Sequence, residues 1–198
     1  MNIRLPSNRY EEIKERVVDL YEDFGISSVP IYPGGVLQKM GYDVESYEIF
    51  NDRPKEIANK FSYDAFRCLV RSTNSKFELY HPYNSRLRIR FSLAHELGHI
   101  VLEHDFKEDS IQETEANFFA NYFLVPLPLI PYKCIYDSPE SVSSVFDVIL
   151  ECAANSVSNC IRRKKCDAHL EEYEIRILNL YGLDVDFFKS GLYSEAIA

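Results

Sequence analysis

The chain has no C-x-x-C pair, no unbroken apolar run, no internal repeat and a shortage of basic residues, and each absence removes a class of protein. Its five cysteines (Cys68, Cys134, Cys152, Cys160, Cys166) are an odd number, and 198 residues is too long for a disulfide scaffold. Cys160, Cys166 and His169 lie close together, but at a spacing that fits no usual zinc pattern. Helical phasing reads Cys152 and Cys160 as small buried residues instead. Residues 1–16 lack the apolar core of a secretory leader. The longest apolar stretch, residues 122–132, is broken by Pro126, Pro128 and Pro131 and is too short to span a bilayer. A cytosolic chain with reduced thiols is the expectation. The 22 Lys and Arg against 31 Asp and Glu leave a net charge of −9 and a pI near 5.1. Such a surface repels phosphate backbones, which speaks against nucleic-acid binding; it tolerates a basic protein partner, although acidity is also a common route to solubility.

What is present suits a globular fold. Hydrophobic residues make up 46% and charged residues 27%, enough for one ordinary domain, residues 1–198, with a real core. Residues 8–24 read as an amphipathic helix, with Ile13, Val17, Leu20 and Phe24 at helical spacing. Pro30, Pro33, Gly34 and Gly35 break the chain before a short helix at 36–40, which Gly41 ends. Strands are expected at 44–50, 66–72 and 77–81, the last two joined by turn chemistry at Thr73-Asn74-Ser75-Lys76; residues 52–59 read as a loop or short helix. Further helices are expected at 89–104, from 110 to before Pro126, at 140–148, 152–165 and 170–181, with a proline-punctuated linker at 125–131. The sum is an α+β fold, mainly helical with a small three-stranded antiparallel sheet, the helices of 140–181 packing on the rest.

His95-Glu96-Leu97-Gly98-His99 is H-E-x-x-H inside an apolar helical run (Phe91, Leu93, Ala94, Leu97, Ile100, Val101, Leu102). Residues four apart share a helix face, so both imidazoles can reach one Zn²⁺. Glu96 points beside that site, where a carboxylate can take a proton from an attacking water. Gly98 removes a side chain next to the pair and lets another element approach, at a propensity cost of about 1 kcal/mol. A surface helix carrying two histidines and a glutamate fits this setting poorly, because polar groups in an apolar run need partners and a metal supplies them.

A catalytic zinc site usually takes a third protein ligand. His104, continued on the same helix, points about 140° from His99; His81 and His169 stand alone. The following helix offers Glu113 and Glu115, about 200° apart on the wheel, so only one can face the metal. Glu113 shares its stripe with Ala116, Asn117, Ala120 and Leu124, which permits close approach, whereas Glu115 lies with Phe118, Phe119 and Tyr122. That favours Glu113, although Ser110-x-x-Glu113 also reads as a capping box. Asn117, one turn on, is placed to accept a hydrogen bond from a ligating imidazole and fix its tautomer.

With Arg90-Phe91-Ser92-Leu93-Ala94-His95-Glu96-Leu97-Gly98-His99, then Glu113-x-x-Ala116-Asn117-x-Phe119-Ala120, then Leu124-Val125-Pro126, the sequence resembles the ImmA/IrrE family of gluzincin-like metallopeptidases. The N-terminal helix, Val29-Pro30 and the short helix ending at Gly41 resemble it too, so the likeness runs to about residue 165 and fades over 166–198. The resemblance implies a zincin-like domain with one Zn²⁺ held by His95, His99 and Glu113, Glu96 as general base and Asn117 behind a ligand. It further implies hydrolysis of a peptide bond in a partner protein, a helix-turn-helix DNA-binding repressor of a mobile element or stress response. Two rivals are a zinc-containing regulatory module that sequesters a transcription regulator without cutting it, and a DNA-binding regulator using residues 140–165. The net charge disfavours the latter.

Overall fold

A computed structural model describes residues 3–49, 56, 60, 62–70, 75–105, 109–134, 138–165 and 169–185. In chain order its elements are α1 (Ser7–Phe24), α2 (Pro33–Lys39), β1 (Tyr42–Ser46), β2 (Ala65–Val70), β3 (Ser75–Tyr80), α3 (Arg86–Val101), α4 (Ser110–Leu124), α5 (Ile130–Lys133), α6 (Pro139–Phe146), α7 (Leu150–Lys165) and α8 (Glu172–Leu180). The fold is α+β and mainly helical. Among the described residues no helix is long and apolar enough to cross a membrane. The elements group into two units, residues 32–120 and residues 1–31 with 121–198, the division falling within α4 between Ala120 and Asn121.

In residues 32–120 the sheet has the order β1-β3-β2. It is mixed rather than antiparallel throughout, which corrects the expectation. β2 and β3 form the expected antiparallel pair, Ala65 opposite Tyr80 and Val70 opposite Ser75, whereas β1 runs parallel to β3, Tyr42 beside Lys76 and Ser46 beside Tyr80. A parallel neighbour needs a long crossover, and the stretch from Ser46 to Ser75, which includes β2, provides one. β1 also starts earlier than its apolar residues suggest, directly after Gly41 at φ +85°. It stops at Ser46, whose Oγ accepts from Glu48 N at 3.2 Å and turns the chain into a single 3-10 turn at Tyr47–Ile49. Tyr47 is thereby buried with Leu79 against Phe66, Cys68 and Phe77, its hydroxyl donating to Ser62 O at 3.0 Å.

Two prolines read as chain breakers begin helices instead. Pro33 sits in the first turn of α2, where its missing N–H costs nothing and its fixed φ suits the helix. Pro128 likewise lies in a 3-10 turn, Leu127–Leu129, that leads into α5. Val125, Leu129 and Ile130 are fully or almost fully buried, so this stretch belongs to the core and is no linker. Residues 52–55, 57–59, 73 and 74, and Cys166, all named in the sequence reading, lie outside the described residues.

In the other unit, α1 buries Ile13, Val17, Val18, Leu20 and Tyr21 and ends at Gly25, φ +64°. α7 buries Cys152 and Cys160 as expected. α8 places Glu174, fully buried, so that it accepts from Glu171 N at 3.0 Å and from both terminal nitrogens of Arg163, Nη2 at 2.7 Å. Truncating one partner of a buried pair strands the other charge, at about 3–5 kcal/mol. Arg163 keeps a hydrogen bond to His169 O and some solvent, which puts Glu174→Ala near the lower end, about 3 kcal/mol. A thermal or urea melt against wild type checks this, and a loss below about 1 kcal/mol would contradict it.

Candidate metal centre

α3 is set down by its first turn. Ser85 Oγ accepts from Arg88 N at 3.2 Å, and Arg88 Nε and Nη2 donate to the two oxygens of Asp64, just ahead of β2, at 2.9 and 2.5 Å. The helix then packs on β2 and β3 and carries His95, Glu96, Gly98 and His99 in its later turns. At Gly98 an added Cβ would meet Phe119 Cδ1 at 3.0 Å and its Cβ and Cγ at 3.1 Å. Glycine is what lets α3 and α4 approach.

Phe119 is fully buried and two of the three clashing atoms sit at the root of its side chain, so it cannot swing clear. Gly98→Ala is therefore expected to lose stability despite its better helix propensity. Overpacking costs about 1–3 kcal/mol, and the propensity gain returns about 1 kcal/mol. A melt shows the sign: an alanine variant as stable as wild type would mean the helices separate freely.

α4 begins with Asp109 Oδ1 accepting from Ile111 N at 2.7 Å. The residue before Ser110 thus serves the helix start. Glu113 instead turns to the two histidines: its Oε2 lies 3.3 Å from His95 Nε2 and its Oε1 3.4 Å from His99 Nε2. The two Nε2 atoms are 3.0 Å apart, and the three side chains offer ligand atoms all within 4.8 Å of one another. Asn117 Oδ1 lies 3.2 Å from His95 Nδ1, placed to accept its proton. The His95 and His99 side chains are 16% and 11% exposed, that of Glu113 55%, so the cluster is walled on the imidazole side and open at the carboxylate.

His104 lies elsewhere than the wheel puts it. α3 ends at Val101, and Glu103 takes a left-handed φ of 57°; the chain doubles back and His104 N donates to His99 O at 2.9 Å. Its ring then stands behind His99, Nδ1 to Nδ1 at 2.9 Å, while its Nε2 meets Glu115 Oε2 at 2.9 Å. Both His104 and Glu115 are buried. The sequence hides this pair, because a helix-ending left-handed residue is usually glycine and here is Glu103. A carboxylate in an aromatic stripe needs a partner, and that was the one available signal.

A third residue escaped the sequence reading. Strand alternation puts Glu78 and its cross-strand neighbour Arg67 on the face opposite Leu79. Glu78 is fully buried, and among the described residues neither of its oxygens has a hydrogen-bond partner. Burial, reinforced by the charge of Glu96, pushes its carboxyl well above the usual range. Burial likewise pushes Glu96 up to about 7, against the pull of positive charge on His95 and Arg67. Burial, aided by charge on His95, takes His99 down to about 4. Burial also opposes a charge on His95, but the Glu113 and Glu96 carboxylates and Asn117 together outweigh it and raise His95 above its ordinary value. Glu113 is lowered in turn, chiefly by its hydrogen bond with His95.

Two imidazoles and a carboxylate, converging with one side open, form the donor set that a divalent zinc ion takes. A family model described as Peptidase_M78, the IrrE N-terminal-like domain, matches residues 52–158, more than half of the chain, a span that contains every residue of this cluster. No curated protein matches the chain.

Proposed function

The chain belongs to the IrrE N-terminal-like family of peptidases, and from that membership we propose that it is a zinc-dependent, site-specific endopeptidase in which His95, His99 and Glu113 hold the ion and Glu96 is the general base. The observation that carries the reading is the convergence of ligand atoms from two helices within 4.8 Å, with Glu96, a base poised near neutrality, on the helix that supplies the two histidines.

Zinc at such a site supplies Lewis acidity, lowering the pKa of a water and polarising a scissile carbonyl. The protein's own part is proton handling and orientation. Glu96 accepts the proton of the attacking water as the new C–O bond forms, and returns it to the nitrogen as the C–N bond breaks. A carboxyl shifted from 4.5 to about 7 is basic enough to take that proton and acidic enough to give it back. Asn117, accepting from His95 Nδ1, leaves Nε2 with its lone pair toward the cluster. The exposed side of Glu113 gives an extended peptide access.

For the substrate we favour a helix-turn-helix DNA-binding repressor. The support is the resemblance in the H-E-x-x-H and E-x-x-A-N stretches, and a net charge of −9 that complements a basic protein. The reading includes no direct contact with nucleic acid or membrane and places the protein in the cytoplasm.

The test is to incubate the zinc-loaded protein with a small helix-turn-helix protein encoded beside it and follow the masses. One internal cut, abolished by a chelator and restored by zinc, is expected. An intact partner in a stable complex on gel filtration would instead establish a zinc-containing module that sequesters a regulator.

A further inference from the structure

We propose that His104 and Glu115 position His99, fixing its ring orientation and tautomer so that its Nε2 lone pair faces His95 and Glu113; this rests on the metal-centre reading above. A buried chain of side chains runs from Glu115 through His104 to His99. Glu115 Oε2 lies 2.9 Å from His104 Nε2, placed to accept a hydrogen from that nitrogen. His104 Nδ1 faces His99 Nδ1 at 2.9 Å, and of two ring nitrogens so placed one donates and the other accepts. A His99 that gives its Nε2 lone pair to a cation carries its own hydrogen on Nδ1, so Nδ1 donates and His104 Nδ1 accepts. The opposite polarity would put the His99 proton on Nε2, 3.0 Å from His95 Nε2, with no lone pair to offer a cation.

The geometry around the chain makes that choice stable. His104 is tied by its own backbone to His99 O, so the ring cannot drift from the residue it supports. Its side chain is 4% exposed and that of Glu115 9%, so water does not compete for either hydrogen bond. Asn117 does the same for His95 from the other helix. Each ligand imidazole thus has its own acceptor, one an exposed amide and the other a buried imidazole–carboxylate pair. An outer partner of this kind commonly changes metal affinity 10–100-fold.

Three variants and one measurement on the wild type test the proposal. His104→Phe keeps the ring's bulk and removes the acceptor; zinc affinity, read by competition with a chromophoric chelator, is expected to fall by about 10–100-fold. His104→Asn puts an amide oxygen where Nδ1 stood and is expected to recover affinity to within a few-fold of wild type. Glu115→Gln keeps an acceptor for His104 Nε2 and is expected to lose less than His104→Phe. Nitrogen-15 NMR of the metal-free wild type is expected to find the His99 proton on Nδ1. Equal zinc affinity in wild type and His104→Phe would overturn the proposal while leaving the metal centre standing. A His99 proton on Nε2 would do so even if His104→Phe fails to fold. A wild type that takes up no zinc would bring down the metal centre and this inference with it.

Discussion

Glu96→Gln is expected to take up one zinc per chain as wild type does and to cleave its substrate about 10²–10⁴-fold more slowly. The substitution is nearly isosteric, and Glu96 is not one of the three residues whose ligand atoms converge, so the donor set stays whole. What disappears is the carboxylate assigned to receive the water's proton and return it. The fold should not suffer. Glu96 carries its charge against burial and raises the carboxyl of buried Glu78 by repulsion, so a neutral amide relieves both and the melting temperature should stay level or rise. Metal content by mass spectrometry, cleavage by product mass and a melt separate these effects. Cleavage at the wild-type rate would remove Glu96 as the base; loss of zinc would mean that it helps hold the ion.

The sequence was most legible where a residue's neighbours along one helix decide its surroundings. His95 and His99 lie on one face because α3 is regular over that stretch, and Asn117 lies one turn after Glu113 because α4 is regular too. Legibility failed where the chain leaves a regular element. The reversal at Glu103 carries no glycine to announce it, so helical phasing continued past Val101 aims His104 away from His99. The parallel pairing of β1 with β3 depends on a long crossover, and alternation within a five-residue strand carries no information about direction. Pro33 and Pro128 read as breaks in the sequence because proline ends helices and also begins them; only the partner of the preceding residues distinguishes the two. Glu78 was invisible for a related reason. A glutamate between Phe77 and Leu79 reads as the solvent face of a half-buried strand, and only the packing of α3 on the sheet makes that face an interior one.

Glu113 and Glu115 should fail in opposite ways when each is replaced by alanine. Glu113 has a side chain 55% exposed and gives its oxygens to the two Nε2 atoms. Glu113→Ala removes the only anionic donor of the cluster, so zinc affinity should drop by more than the roughly 100-fold that an outer partner can cost. Stability without metal should move by no more than about 0.5 kcal/mol, as for most exposed positions. Glu115 is 7% exposed and holds His104. Glu115→Ala strands a buried imidazole N–H, which costs about 1–3 kcal/mol of stability, and weakens zinc only through the loosened His99. The 200° between two residues so close in the chain is what allows this division, one face of α4 turned to the cluster and the other to the support behind it. Metal titration and denaturant melts of the two variants read both quantities, and a Glu113→Ala protein that still holds zinc at wild-type affinity would move the third ligand elsewhere.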